Sequence, residues 1–408
     1  MKKIYNTIFL IILFTFLLSN FVFADDEFPM DDTNDNYFDN FSVSSTSTIE
    51  PVTYSKNIIV IDRLSKTVLY EKNAYSKVPM ASTTKIMTCI ITIENSSLND
   101  VVTISKNAAS VAGSKLGLKE NMRVSLQDLL YGLMLCSGND CAIAIAEHIS
   151  GNIEEFSLLM NNKKEELGLV NTNFVTPHGL DDENHYTTAY DLAILTNYAL
   201  DNEIFRKIVS TKTYTVSLDM YSKQISNTNE LLGNLDGVYG VKTGFTFDAG
   251  RCLVSSCKRD NLDIIVVVLG ADTKRIRTKD SINLINYVFN VYKYINISNL
   301  INESFNNYLK IFYKNIYLEK TEELPIIKLN DLENYYYPLE TNGNLNLSTK
   351  IYITNKFSPK ISKNSKIGTL YVYNNDNLLC LTDIILENAL SQNTVIFYFK
   401  KILSIFIS

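Results

Sequence analysis

Pro79-Met80-Ala81-Ser82-Thr83-Thr84-Lys85-Ile86-Met87-Thr88 is the stretch on which the reading of this chain turns. Ser82 opens an apolar run, Ile86-Met87-Thr88-Cys89-Ile90-Ile91, that reads as a helix. Residues three apart share one helical face, which puts the Lys85 amine within reach of the Ser82 hydroxyl. A serine hydroxyl is a poor nucleophile until a base takes its proton. Lysine serves as that base only when burial or a neighbouring cation depresses its pKa. The stretch therefore asks for a covered site or a second cation.

Two later motifs answer that requirement. Ser137-Gly138-Asn139 stands 55 residues after Ser82, and Lys242-Thr243-Gly244 stands 105 residues after Ser137. Lys242 supplies the second cation, and an anchor for an anionic substrate group, if its strand borders the site. Tyr239-Gly240-Val241-Lys242-Thr243-Gly244 reads as a strand whose small residues let another backbone approach, and an extended peptide can add alongside it. Ser137 offers a hydroxyl relay to a leaving amine, and Asn139 an amide to hold the substrate. The backbone N–H groups of Ser82 and Phe245 are expected to form the oxyanion hole. By itself Ser137-Gly138-Asn139 reads as an ordinary helix N-cap; the company of the other two motifs selects the catalytic reading.

Chance copies are separated by local structure. Ser255-Ser256-Cys257-Lys258 repeats the S-x-x-K spacing inside a strand-like run, where residues three apart face opposite ways. Ser150-Gly151-Asn152 follows a helical stretch, and its glycine reads as a C-cap. His178, Asp181, Asp182 and His185 could hold a divalent ion, but Pro177 and Gly179 place them in a loop without metalloprotease helical spacing. We expect no metal and no cofactor there.

The net charge of −6 excludes a basic nucleic-acid-binding face, so no nucleic-acid partner is expected. Lys2-Lys3, the apolar Ile8–Leu18 and the small Ala24 before Asp25 form a secretion signal. The chain is therefore expected outside the cytoplasm, at the outer face of the membrane. Six cysteines sit mostly in apolar runs and read as unpaired small hydrophobes.

Five segments follow: a signal peptide at 1–24, an acidic disordered linker at 25–50, a main domain at 51–297, a β-rich domain at 298–388 and a tail at 389–408. In the main domain, Ile58–Ile61 and Val68–Tyr70 flank a polar turn as a hairpin. Helical patterns fill about 120–205, strands return at 214–216, 251–257 and 262–269, and a helix closes at Ser281–Val291. Strands, then helices, then strands again predict an α+β fold, one sheet whose end strands meet around a helical insertion. The tail has a wide apolar face and a basic strip at Lys400-Lys401, which suits a helix lying in a membrane surface; a helix or edge strand of the β-domain is the alternative.

Over residues 50–390 the chain resembles the serine D-alanyl-D-alanine carboxypeptidases, the low-molecular-mass penicillin-binding proteins. The likeness includes the nucleophile segment, Pro177-His178-Gly179-Leu180-Asp181 with His185-Tyr186-Thr187-Thr188-Ala189, and Gly240–Thr246 with Ala249-Gly250. Met80 replaces a common second proline, and Phe247-Asp248 an otherwise small or acidic pair; neither change removes a group the chemistry needs. The resemblance implies a β-lactamase/transpeptidase-like domain, an antiparallel sheet flanked by helices with a helical subdomain. A small all-β domain and a C-terminal amphipathic helix would follow. It implies peptidoglycan stem peptides ending in D-Ala-D-Ala as substrate and β-lactam antibiotics as covalent inhibitors. It further implies that Arg277 binds the terminal carboxylate; from the residue alone, Arg277 is only a suitable bidentate partner for one. The alternatives are a β-lactamase, which would recruit a deacylating glutamate, with none in a matching loop between Ser137 and Lys242, and a non-catalytic penicillin-binding receptor, which would need no nucleophile.

Overall fold

Ile58, Ile59, Val60 and Ile61 are all completely buried, because their strand is covered on both faces. Successive side chains alternate across a strand. Ile59 and Ile61 join the core shared with the helices, while Ile58 and Val60 are buried on the other side. That double cover explains a continuous apolar run in place of alternation. The computed structural model describes residues 50–219, 221–318, 324–330, 335–341, 346–357 and 361–390, with Phe399 and Leu403. The signal peptide, the acidic linker before Glu50 and the tail beyond Leu390, those two residues excepted, lie outside the described residues.

The chain divides into two compact units, one ending at Asn290 and the other beginning at Val291. The first is built on a five-stranded sheet of β1 (Asn57–Asp62), β2 (Val68–Lys72), β3 (Val238–Thr246), β4 (Gly250–Arg259) and β5 (Leu262–Ala271), in the order β2-β1-β5-β4-β3. All pairings are antiparallel; Val60 faces Val266 and Lys242 faces Val254. The expected hairpin forms where Asp62 accepts from the Ser65 N–H (2.7 Å) and hydroxyl (2.6 Å). The first strand meets the last, as the sequence order predicted, and leaves β3 at the sheet edge.

Between β2 and β3 lies the helical insertion: α1 (Lys85–Asn95), α2 (Leu126–Leu135), α3 (Asn139–Ser150), α4 (Ile153–Glu166), α5 (Ala189–Asp201) and α6 (Glu203–Val209). Helix α5 packs on β1 and β5. An antiparallel pair, Val101–Thr103 with Arg123–Ser125, a short helix between them at Lys106–Ser110, and a hairpin of Thr213–Leu218 with Tyr221–Ser226 complete the insertion. Gly151 ends α3 at φ +82 with its N–H on the Glu147 carbonyl, the expected C-cap. Ser255 lies within β4, so the second S-x-x-K copy is a buried strand residue.

The closing helix α7 spans Lys274–Val291, two turns longer than the sequence indicated. Its first residues, Lys274-Arg275-Ile276-Arg277-Thr278-Lys279-Asp280, show no apolar period, and the Thr273 hydroxyl marks the start by accepting from the Ile276 N–H (3.1 Å). Asp280 anchors the helix to the chain before β1, taking hydrogen bonds from the N–H groups of Tyr54 (2.9 Å) and Ser55 (2.7 Å).

The second unit holds a four-stranded antiparallel sheet, β6 (Ile327–Leu329), β7 (Leu347–Ile353), β8 (Lys366–Asn374) and β9 (Asn377–Leu386), in the order β6-β9-β8-β7. Asn375 takes the hairpin turn between β8 and β9 at φ +53. A helix unforeseen in the strand-rich reading, α8 (Ser298–Phe312), buries Ile301, Phe305 and Phe312 in one cluster with Leu370, Val372 and Ile384. Its exposed face is rich in asparagine, which hides the helical period. None of the six cysteines forms a disulfide.

Candidate active site

The chain from Ala81 to Thr84 forms a 3₁₀ turn that runs directly into α1. Ala81 holds φ +48, a left-handed conformation that non-glycine residues seldom adopt and that often marks a functional turn. It leaves Ser82 partly open, while Lys85 is wholly buried.

Lys85 Nζ has three neighbours, each at 2.8 Å: Ser82 Oγ, Asn139 Oδ1 and the His178 carbonyl oxygen. Burial depresses the Lys85 pKa strongly, and the nearby Lys242 charge depresses it further. In the neutral amine two N–H groups remain for three contacts. Two of those contacts, the Asn139 and His178 oxygens, can only accept. Ser82 alone can reverse its role and donate, so the amine lone pair is directed at the serine proton. The assignment of Asn139 is fixed by its other end, whose Nδ2 donates to the Ala112 carbonyl at 2.7 Å. Both ends of that amide are thus engaged. The sequence suggested a substrate contact for Asn139; its Oδ1 also lies against the Lys85 amine.

The Pro177–Asp181 loop acts as a buttress for this turn. The Thr88 hydroxyl donates to the Pro177 carbonyl (2.6 Å). Gly179 is at φ +88 so close to the turn that a Cβ would fall 1.9 Å from the Ala81 oxygen. His185 Nδ1 accepts from the Val175 N–H (2.9 Å), which makes Nε2 the protonated nitrogen, donating to Thr84 Oγ1 at 2.8 Å. Burial pushes His185 down to about 4 and His178 to about 3, so both are neutral at pH 7. Among the described residues no cluster of histidine, cysteine and carboxylate side chains could hold a metal ion.

The third motif reaches the turn through Gly244. A Cβ there would lie 3.0 Å from the Ser82 nitrogen and 3.2 Å from both the Thr83 nitrogen and the Ala81 Cβ. Only glycine lets β3 approach this closely. The Ser82 N–H and the strand continuing into Phe245 consequently border one space. Lys242 is 1% exposed, and its ammonium donates to the Thr243 carbonyl at 2.9 Å. Thr243 Oγ1 and Thr228 Oγ1 are 2.7 Å apart, and Thr246 donates to Asp181 at 2.6 Å.

Ser137 is buried at φ +60, the second non-glycine residue of the site in a left-handed conformation. Asp140, in the first turn of α3, accepts from the N–H groups of Leu116 (2.9 Å), Gly117 (2.8 Å) and Leu118 (3.0 Å). This clamp fixes the loop facing Ser137 and Asn139. Sequence reading missed it; an acidic residue in a first helical turn was the available signal. Cys136 is a neutral thiol, pushed up to about 11 chiefly by burial.

Arg277 has no exposed side-chain surface, and its Nη2 is bound by both carboxylate oxygens of Glu230, at 2.6 and 2.9 Å. The cation expected to await a substrate carboxylate already holds one from the protein. Nothing in the motif pattern pointed to Glu230.

Comparison with known proteins agrees with this geometry. Residues 44–273 match the D-alanyl-D-alanine carboxypeptidase family model, and residues 310–392 match the C-terminal domain of penicillin-binding protein 5. The D-alanyl-D-alanine carboxypeptidase DacF of Bacillus subtilis is 30% identical over 85% of this chain and 88% of its own length. DacC of Escherichia coli is 38% identical over 58% of this chain, a match spanning 61% of that relative. The crystal structure of penicillin binding protein 5 from Haemophilus influenzae superposes with a TM-score of 0.70 at 27% identity, covering 84% of this chain and 99% of that one. The Streptomyces K15 DD-transpeptidase, 33% identical, covers 59% of this chain and 99% of its own with a TM-score of 0.56. With the serine, lysine and glycine-bearing strand of the three motifs packed around one turn, this chain belongs to the D-alanyl-D-alanine carboxypeptidase family.

Proposed function

We propose that this protein is a serine D-alanyl-D-alanine carboxypeptidase that removes the terminal D-alanine from peptidoglycan stem pentapeptides. One observation carries the reading: the buried Lys85 amine lies 2.8 Å from Ser82 Oγ and from the oxygens of Asn139 and His178, which can only accept, so that once neutral it can take a proton only from Ser82. Ser82 Oγ attacks the penultimate D-alanine carbonyl carbon as its proton passes to Lys85. The resulting oxyanion is met by the N–H groups of Ser82 and Phe245. The C–N bond then breaks, Ser137 relays a proton to the departing amine, and water hydrolyses the acyl-serine.

Lys242 and Thr243 hold the anionic end of the substrate together with Arg277, and Gly244 leaves room for the substrate backbone against the edge strand. A β-lactam is a substrate of the first half-reaction only, so penicillin stays as an ester on Ser82. The reading as a β-lactamase is disfavoured because no glutamate stands in a matching loop between Ser137 and Lys242. The enzyme acts on the wall side of the membrane, where its substrate is, with the tail from residue 389 lying in the membrane surface. The β-rich residues 298–388 are its spacer.

The test is mass spectrometry of the penicillin-treated protein, with D-alanine release measured from a pentapeptide ending in D-Ala-D-Ala. A stable adduct on the peptide containing Ser82, together with D-alanine release, supports the proposal. An adduct on another serine, rapid penicillin turnover, or a folded protein that releases no D-alanine overturns it. Removing residues 394–408 is expected to free the protein from membranes; continued sedimentation with them counters the anchor.

A further inference from the structure

Glu230 sits between Arg277 and solvent. The Arg277 side chain is 0% exposed, whereas 19% of the Glu230 side chain remains accessible. Both Glu230 oxygens converge on Arg277 Nη2, and the Thr278 hydroxyl donates to the same carboxylate. Two residues earlier, Thr228 bonds Thr243 of the third motif at 2.7 Å. The loop that carries Glu230 is thus pinned to the strand along which a substrate would lie. Although burial opposes its ionisation, Arg277 and Thr278 hold the Glu230 carboxyl below its ordinary value, so it is an anion at neutral pH.

A guanidinium recognises a carboxylate by charge and paired N–H geometry, and here that capacity is met from within. A second carboxylate arriving at Arg277 faces a like charge in a poorly solvated site, which disfavours two anions sharing one cation. We propose that Glu230 is a resident carboxylate that the substrate's terminal carboxylate must displace from Arg277, so that Glu230 sets how strongly the enzyme prefers a free C-terminus. The proposal rests on the reading that Arg277 receives that terminus. Glu230 is a positioning residue in this scheme and touches no reacting atom.

The experiment compares kcat/KM for an acylated tripeptide ending in D-Ala-D-Ala with that for the same peptide ending in a carboxamide, in the full-length enzyme. Glu230→Gln keeps the side-chain size and removes the competing charge. It is expected to raise the carboxylate-to-carboxamide ratio about tenfold, the scale of one charge-assisted hydrogen bond. Glu230→Asp retains the anion and should leave the ratio within about threefold of wild type, on the same scale. Thr278→Val leaves every charge in place and loosens only the Glu230 carboxylate, so it should shift the ratio in the same direction as Glu230→Gln, by less. The effect of Glu230→Gln should vanish in an Arg277→Gln background, as coupled residues require. A ratio unchanged or lowered in Glu230→Gln and Thr278→Val, or an effect that persists without Arg277, overturns the proposal. Wild-type enzyme that releases no D-alanine overturns the carboxypeptidase reading and this proposal with it, whereas release with an unaltered ratio overturns this proposal alone.

Discussion

Asn139 and Lys85 are 54 residues apart in sequence and 2.8 Å apart in space. That contact determines which way the Lys85 amine can act. With Asn139 Oδ1 and the His178 carbonyl taking its N–H groups, the only remaining neighbour able to give up a proton is Ser82.

Replacing Asn139 by aspartate puts a carboxylate against Lys85. An adjacent anion favours the ammonium and raises the lysine pKa. Acylation requires the neutral amine, so its rate rises as pH climbs through the Lys85 pKa. The acid limb of the Asn139→Asp profile should move to higher pH, with penicillin acylation at pH 7 at least about tenfold slower and recovering in alkali. Stopped acylation assays across pH would show this; an unshifted limb would separate Asn139 from the base.

Lys242→Gln removes a cation that holds the Lys85 pKa down. Two effects are expected together: a higher pH midpoint for acylation, and weaker capture of anionic substrates. The loss in kcat/KM should reach about 10²-fold, since a buried charge-assisted contact is worth about 1.5–3 kcal/mol. Unchanged kinetics would place the anion site elsewhere.

Gly244→Ala tests the approach of β3 to the nucleophile turn. The added methyl would press on the nitrogens of Ser82 and Thr83 and on the Ala81 Cβ at 3.0–3.2 Å. Relief by a small shift of strand or turn misplaces the oxyanion donors, and a displacement of ~1 Å can lower rates by about 10²-fold. Acylation should fall by that order while the melting temperature changes little. Equal loss of folding and activity would make the glycine structural only.

The two buried histidines make the fold sensitive to acid. Their folded pKa values, about 4 for His185 and about 3 for His178, lie below the ordinary 6.5. Below pH 6.5 the unfolded chain therefore binds protons that the folded chain does not, and stability falls as pH drops toward 4. Each histidine contributes about 1.4 kcal/mol per pH unit in that window. His185→Gln should reduce the slope of unfolding free energy between pH 6.5 and 5 by one such increment, as measured by urea titration. An identical slope would show that His185 is not neutral in the folded protein.

Much of the site was legible because its parts are local. Ser82 and Lys85 are three residues apart on one turn, and Lys242-Thr243-Gly244 lies within one strand, so residue type and spacing alone singled them out as candidates. Arg277 was harder: the polar first turns of α7 concealed that it sits on a helix, and its pairing with Glu230 joins segments 47 residues apart. The Asp140 clamp on Leu116–Leu118 was equally invisible, since it consists of backbone N–H groups that any residues could supply.

The sequence by itself pointed to a nucleophile, a base and an anchoring cation and determined the order of strands and helices, since short spacings and hydrophobic periods are written in consecutive residues. Tertiary structure alone decided how those groups are tuned. Asn139 and the His178 carbonyl came to lie against Lys85, and Glu230 against Arg277. Burial, like-charge proximity and the direction of a lone pair depend on distances between remote segments, which only packing fixes.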